Sequence, residues 1–492
     1  TAVKYYNHCF SLLQEDPWDD EKPDSYYDES LALHIRAAEI HHYMGHFEDA
    51  SRLLDTLMEN AKSAVDKAPA WVLQSRMFAQ SGDSAAAFRT LSTCLAHLGV
   101  NVDLNPTWDK CDAEFDRISL KLKGANRRDN SQNDLKAQSS SDLAAAGAVL
   151  VEIIADSFWS SRLTFYSTTL LMVDTALTAG SFPQMGMAFM HLSMIAISRF
   201  NMVQWASELG DQALELMDQW RDPYTLGRAG TIYWLFVGHI QSPLNGCLAQ
   251  LEGALEYAIA SGDRLSTILN FGVVAMLKFF SSDHLTDLES FCQFGCEEIP
   301  NWAQDLRGGI MLIAVRQLCR ALQGKTLIHS AENVMSDGSH DSTVYLDWVR
   351  SQVGEMSGRP LFFYNSLRIA PLFLYGHYDE AIDVGRECLK YMDSVWSARN
   401  IRFVMLFYGL ALAGKAWSAA GNPAILNKRS QAGEREEIMK ELTILRKKIM
   451  EWQAVNNCNY LSWSTMLDAQ IAELQQNHNE VLKMYELSAD HS

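Results

Sequence analysis

Along nearly the whole chain, apolar residues recur every three to four positions, and short runs of glycine, proline, serine or aspartate interrupt them. That spacing lays one apolar stripe along an α-helix. It predicts helices over Leu31–Met44, Glu48–Ala64, Ala70–Gln80, Ala85–His97, Trp108–Leu122 and Leu143–Trp159. The series continues to the C-terminus, with breaks at Gly180-Ser181-Phe182-Pro183, Arg221-Asp222-Pro223, Ile299-Pro300 and Gly421-Asn422-Pro423. Strand signals, β-branched residues alternating with polar ones between turn dipeptides, are nearly absent. The expected fold class is all-α.

The helices come in similar pairs. Gly45-His46-Phe47-Glu48-Asp49-Ala50 returns as Gly376-His377-Tyr378-Asp379-Glu380-Ala381, and more loosely as Gly82-Asp83-Ser84-Ala85-Ala86-Ala87. Each copy lies between two apolar helical runs. A glycine suits the end of the first helix, where a positive φ is required. The aromatic residue is expected under the turn, and Ala50, Ala87 and Ala381 allow the second helix to approach the first. Leu54, Leu91 and Cys388 follow on the side expected to be buried. The two early copies are separated by about the length of a tetratricopeptide repeat. The architecture expected is therefore a tetratricopeptide-like helical-repeat solenoid.

Two stretches break the pattern. Residues 125–141 are polar and rich in serine and asparagine, and are expected to be a disordered loop. Residues 325–342, containing Asp337-Gly338-Ser339-His340-Asp341, form a second expected loop. The chain thus divides into N-terminal repeats (1–124), central repeats (142–324) and C-terminal repeats (343–492). Because it opens at Thr1 and not at a methionine, it is expected to be a piece of a longer protein.

Sixty acidic residues against 41 basic ones give a formal charge of -19. Such a surface repels phosphate backbones and anionic lipid heads, so neither nucleic acid nor membrane is an expected partner. The nine cysteines are scattered without repeating spacing, which is the usage of a reduced, cytoplasmic protein. The most apolar stretch, Phe403–Ala413, is too short to span a bilayer, which takes about 20 residues.

The sequence carries no complete catalytic constellation. Leu322-Gln323-Gly324-Lys325-Thr326 has the end of a phosphate loop, but Cys319 stands where that loop requires its first glycine. Cys292 and Cys296 lie one helical turn apart without a second ligand pair at zinc spacing. His34, His41 and His42 share a helix but form no His-Glu-x-x-His motif. The sequence thus gives no reason to expect a catalytic residue, a cofactor or a metal.

Scattered positions in order along the chain resemble one known arrangement. They include Ala96-His97-Leu98-Gly99-Val100, Asn105-Pro106-Thr107, Trp159-Ser160-Ser161-Arg162-Leu163-Thr164-Phe165-Tyr166 and Leu255-Glu256-Tyr257-Ala258-Ile259-Ala260-Ser261-Gly262-Asp263. Later come Leu372-Phe373-Leu374-Tyr375-Gly376 and Asn459-Tyr460-Leu461-Ser462-Trp463. The pattern resembles the helical region of large fungal hybrid histidine kinases. In that family a protein-kinase-like domain and a signalling ATPase precede the repeats, and GAF, histidine-kinase and receiver domains follow them. The resemblance implies a regulatory segment whose partners are proteins: neighbouring domains of the same chain, or a second copy. A free-standing tetratricopeptide adaptor is the alternative. Val481, Leu482 and Tyr485 form an apolar face on the last expected helix, which makes Leu482 and Tyr485 the candidate interaction surface.

Overall fold

The computed structural model describes residues 2–13, 17–19, 26–125, 140–281, 284–353, 358–420, 428–455 and 459–491. Among these, α-helices account for almost all regular structure, and the only bridge of β type joins Asp337 to His340. The protein is an all-α, tetratricopeptide-like helical repeat array.

Consecutive helices pack as antiparallel neighbours. Tyr27–Tyr43 lies on Phe47–Asn60, Ala64–Gln80 on Ser84–His97, Met185–Phe200 on Val203–Trp220, and Leu461–Leu474 on His478–Asp490. Several helices also meet the one two places along, as Gly308–Leu322 meets Arg359–Leu374. That nearest-neighbour pattern is what a stacked repeat requires, because no single pair can cover its own apolar face. A continuous buried core runs from Ala68 to Leu474, and a smaller cluster around Ala38, Leu54, Leu57 and Leu73 serves the first repeat.

The turn at Gly45 shows how local chemistry makes the pairs. Gly45 has a φ of 79° and its N–H donates to the His42 carbonyl (3.0 Å), while the His46 N–H reaches back to the His41 carbonyl (2.8 Å). These two bonds close a Schellman motif. Gly82 (φ 84°) and Gly376 (φ 82°) repeat it, with Asp83 bonding to Phe78 and His377 to Leu372. Ala50, Ala87 and Ala381 are fully buried where the second helix meets the first, as are Leu54, Leu91 and Cys388. The aromatic position behaves less uniformly than expected. Phe47 is 39% exposed beside the His42 ring, whereas Tyr378 packs at a tilt near Phe373 and fills the space over Gly414.

Most of the loop expected at 125–141 lies outside the described residues; Ala125 closes one helix and Ser141 opens the next. The stretch 325–341 is tied down. Thr326 donates to the Val334 carbonyl (2.7 Å), Gln317 to the Met335 carbonyl (2.8 Å), and both Val334 and Met335 are completely buried.

Although Phe403–Ala413 is the most apolar run of the sequence, a different helix, Ser141–Ser160, is long and apolar enough to cross a membrane by length and composition. Most of it is buried inside the protein, with Val149 to Ile154 wholly covered by neighbouring helices.

Candidate functional site

The repeats coil so that segments distant in sequence meet along an inner wall. The helix Pro223–Tyr233 passes into a π-helical turn, Trp234–Gly238, and then into His239–Gln241. Every residue from Tyr233 to Ile240 is buried. A helix buried all round belongs at the centre of a structure. Gly238 is required there, since a Cβ would fall 2.2 Å from the Trp234 ring.

His239, at the end of the π turn, has no exposure. Its Nε2 lies 3.0 Å from the Ser397 carbonyl oxygen and its Nδ1 lies 2.5 Å from the Tyr460 hydroxyl. A carbonyl can only accept, so Nε2 carries the proton and Nδ1 accepts from Tyr460. Burial, assisted by the Arg399 charge, pushes the imidazole down to about 3 and keeps it neutral. Ser397 also donates to the Phe236 carbonyl (2.7 Å), and the Asn459 amide donates to the His239 and Ser242 carbonyls (2.7 and 2.6 Å). Three distant parts of the chain are thereby joined by satisfied buried hydrogen bonds.

A second buried junction is ionic. Glu152 accepts from Arg76 through Nε (3.1 Å) and Nη2 (2.8 Å), and pairs with Arg228 at 2.8 Å and with the Tyr224 hydroxyl. Arg228 turns its Nε to Asp263 at 2.7 Å. Burial pushes the Asp263 carboxyl up, but the Arg228 and Arg76 guanidiniums outweigh it and hold the group well below the usual carboxylate range. This network links the second repeat pair to the centre of the coil.

Between these junctions is a cavity of about 60 Å³, walled mainly by Phe158, Trp159, Leu235, Phe236, Met311 and Phe363, with His191, Arg228 and Arg307 as its basic members. Arg307 lies over the Trp159 ring (5.7 Å) and Arg359 over the Phe158 ring (5.5 Å). Arg359 is fully buried. Its Nε donates to the Ser394 carbonyl (2.6 Å), but neither Nη has a partner among the described residues. Burial and the Arg162 charge pull its pKa down to about 9. His191 Nδ1 is likewise unpartnered, and burial pushes that ring down to about 3. The sequence pattern does not reveal this basic interior, because the arginines are spread over separate segments and only the folding of the chain gathers them.

The residues singled out from sequence fall elsewhere. Gly45, Gly82 and Gly376, with Ala50, Ala87 and Ala381, stand at three separate repeat turns. Leu482 is 65% exposed on the last helix, His478–Asp490. Tyr485 turns inward, donating its hydroxyl to Glu473 (2.9 Å) and accepting from Gln470 (2.5 Å). The two side chains therefore have different surroundings. Gly324 (φ 69°) follows the helix Gly308–Leu322, and Lys325 pairs with Glu289 at 2.8 Å. Cys292 and Cys296 are both buried, and burial pushes the Cys296 thiol up to about 12.

No family model matches the chain, and no curated protein matches it. Among solved structures it is similar to a monomeric mutant of IFIT1 with Gppp-AAAA, at 12% identity and a TM-score of 0.30, covering 100% of this chain and 94% of that one. A human IFIT1 dimer with m7Gppp-AAAA gives 12% identity and a TM-score of 0.28, with 99% of both chains covered. A human IFIT1 dimer with PPP-AAAA gives 12% and 0.30, covering 98% of this chain and 99% of that one. These are likenesses of helical-repeat fold alone.

One expectation is corrected. The exclusion of nucleic acid, drawn from the net charge of -19, is not kept; the names of these neighbours carry Gppp-AAAA, m7Gppp-AAAA and PPP-AAAA. The physical reason is that a formal charge sums over the whole chain and says nothing of how acidic and basic groups are distributed over its surface, so it excludes no partner class by itself.

Proposed function

We propose that this chain is a cytoplasmic interaction scaffold, the helical-repeat segment of a multidomain signalling kinase of the fungal hybrid histidine-kinase kind. In this role it couples an upstream ATPase switch to a downstream sensor-kinase. The observation that carries the reading is the junction at His239, where one buried imidazole bonds to Ser397 and Tyr460. Ties of that kind turn a flexible stack into a body that moves as a unit, so a displacement at one end is felt at the other. The ordered sequence resemblance supplies the kinase context, and the three repeat blocks 1–124, 142–324 and 343–492 are the proposed mechanical parts.

A free-standing adaptor is supported equally by the same repeat architecture. Recovery of the parent transcript separates the two. Reading frames for an ATPase module before Thr1 and a sensor domain after Ser492 are the expected result. Stop codons immediately flanking the region would overturn the kinase reading and leave the adaptor.

A further inference from the structure

We propose that the first repeat turn is a binding site for a divalent cation of the zinc class, held by His41, His46 and Asp49. One ligand atom from each of the three lies within 4.8 Å of the others. His41 sits in the last turn of Tyr27–Tyr43, and its side chain is 7% exposed. Its Nδ1 has no hydrogen-bond partner among the described residues, and it points to Asp49 Oδ2 at 3.6 Å. That distance is too long for a hydrogen bond and close to the separation of two ligands on one tetrahedral zinc ion, about 3.4 Å for bonds of about 2.1 Å.

The local fold explains why the three groups converge. The Schellman bond from the His46 N–H to the His41 carbonyl folds the chain back by one residue past Gly45, bringing the two rings to 5.6 Å. Asp49 then sits in the first turn of Phe47–Asn60 and faces the same point. Arg52 takes the other carboxylate oxygen, Oδ1, and so orients Oδ2 toward the histidines. A hydrogen bond of this sort commonly fixes a metal-binding carboxylate. An open cleft lined by His46, Phe47 and Asp49 leaves the fourth position to water. Three protein ligands with one open position form a recognised zinc geometry.

The other two turns act as internal controls. Leu372, His377 and Glu380 replace the three ligands at the Gly376 turn, where the His377 ring bonds instead to the Ile328 carbonyl (2.8 Å). At the Gly82 turn the equivalents are Phe78, Asp83 and Ala86. Only the first turn carries the full set.

Calorimetric titration of the whole chain with zinc chloride tests the site, and cobalt(II) absorption identifies its ligands. One equivalent is expected to bind, with d–d bands of nitrogen and oxygen ligation and no thiolate charge-transfer band. His46→Ala and Asp49→Asn each weaken binding by about tenfold or more, while His377→Ala leaves it unchanged. His46 is exposed, so His46→Ala is expected to melt like the parent without metal, and zinc no longer raises its melting temperature. No binding by the parent chain would overturn the proposal, as would undiminished binding by His46→Ala or a thiolate band from the cysteines.

Discussion

The Tyr460 hydroxyl lies 2.5 Å from His239 Nδ1, although 221 positions of sequence separate the two residues. Neither side chain is exposed, and the proton arrangement follows from the Ser397 carbonyl on the far side of the ring. The bond joins the centre of the coil to its last helical pair.

Removing one partner of that bond strands the other. Tyr460→Phe keeps the ring packing against Trp452 and Trp463 but leaves a buried imidazole nitrogen without a donor. The expected cost is about 1–3 kcal/mol. Urea denaturation followed by tryptophan fluorescence measures it, and a variant as stable as the parent would show that the bond contributes nothing.

Glu152→Gln should be among the most damaging single changes. It leaves Arg228 and Arg76 sharing Asp263 alone in a buried site, and breaking such a network costs about 3–5 kcal/mol. Glu152→Gln is therefore expected to lower the melting temperature strongly. Arg221→Gln, which removes an ion pair on the exposed surface with Asp218, should change it little.

Arg359→Met is expected to act in the opposite direction. The guanidinium is buried with both Nη atoms unpartnered and another arginine as its charged neighbour. Methionine fills a similar space without an isolated charge, so stability should rise by about 1–3 kcal/mol. Differential scanning calorimetry of the two proteins decides this, and a fall in melting temperature would show that the charge is compensated.

Acid should destabilise the fold earlier than its carboxylates alone would dictate. Burial is the leading cause that lowers His42 and His340 to about 4 and His191 and His239 to about 3. Unfolded, each ring binds a proton below about pH 6.5. From there down to the folded values the unfolded chain binds more protons, and stability falls by up to about 1.4 kcal/mol per pH unit for each ring. Above about pH 7 these rings contribute no pH dependence. Denaturation midpoints between pH 7 and pH 4 are the measurement, and His191→Phe should flatten the slope by about one proton.

The last helix offers a contrast between two neighbours. Leu482→Glu, at an exposed site, should change stability by less than about 0.5 kcal/mol. Tyr485→Phe loses its bonds to Gln470 and Glu473 and should cost about 1 kcal/mol. Equal effects in urea denaturation would contradict the placement of these side chains.

The repeated turns were legible from sequence because their determinants are local. A Schellman motif involves only six consecutive residues, so Gly45, Gly82 and Gly376 announce it wherever the tertiary structure places them. The same holds for the helices, whose apolar period of three to four residues is a property of each segment alone. The convergence of His41, His46 and Asp49 is also local, but it spans the glycine turn between two helices, so no single-helix ligand motif marks it. What only the tertiary structure decided is which helices meet across the coil. Each repeat adds a small rotation to the last, and those rotations accumulate into a pitch that no single segment encodes. That pitch brought His239 to Tyr460 and Arg228 to Glu152. It also drew the arginines inward, away from the acidic surface that the composition describes.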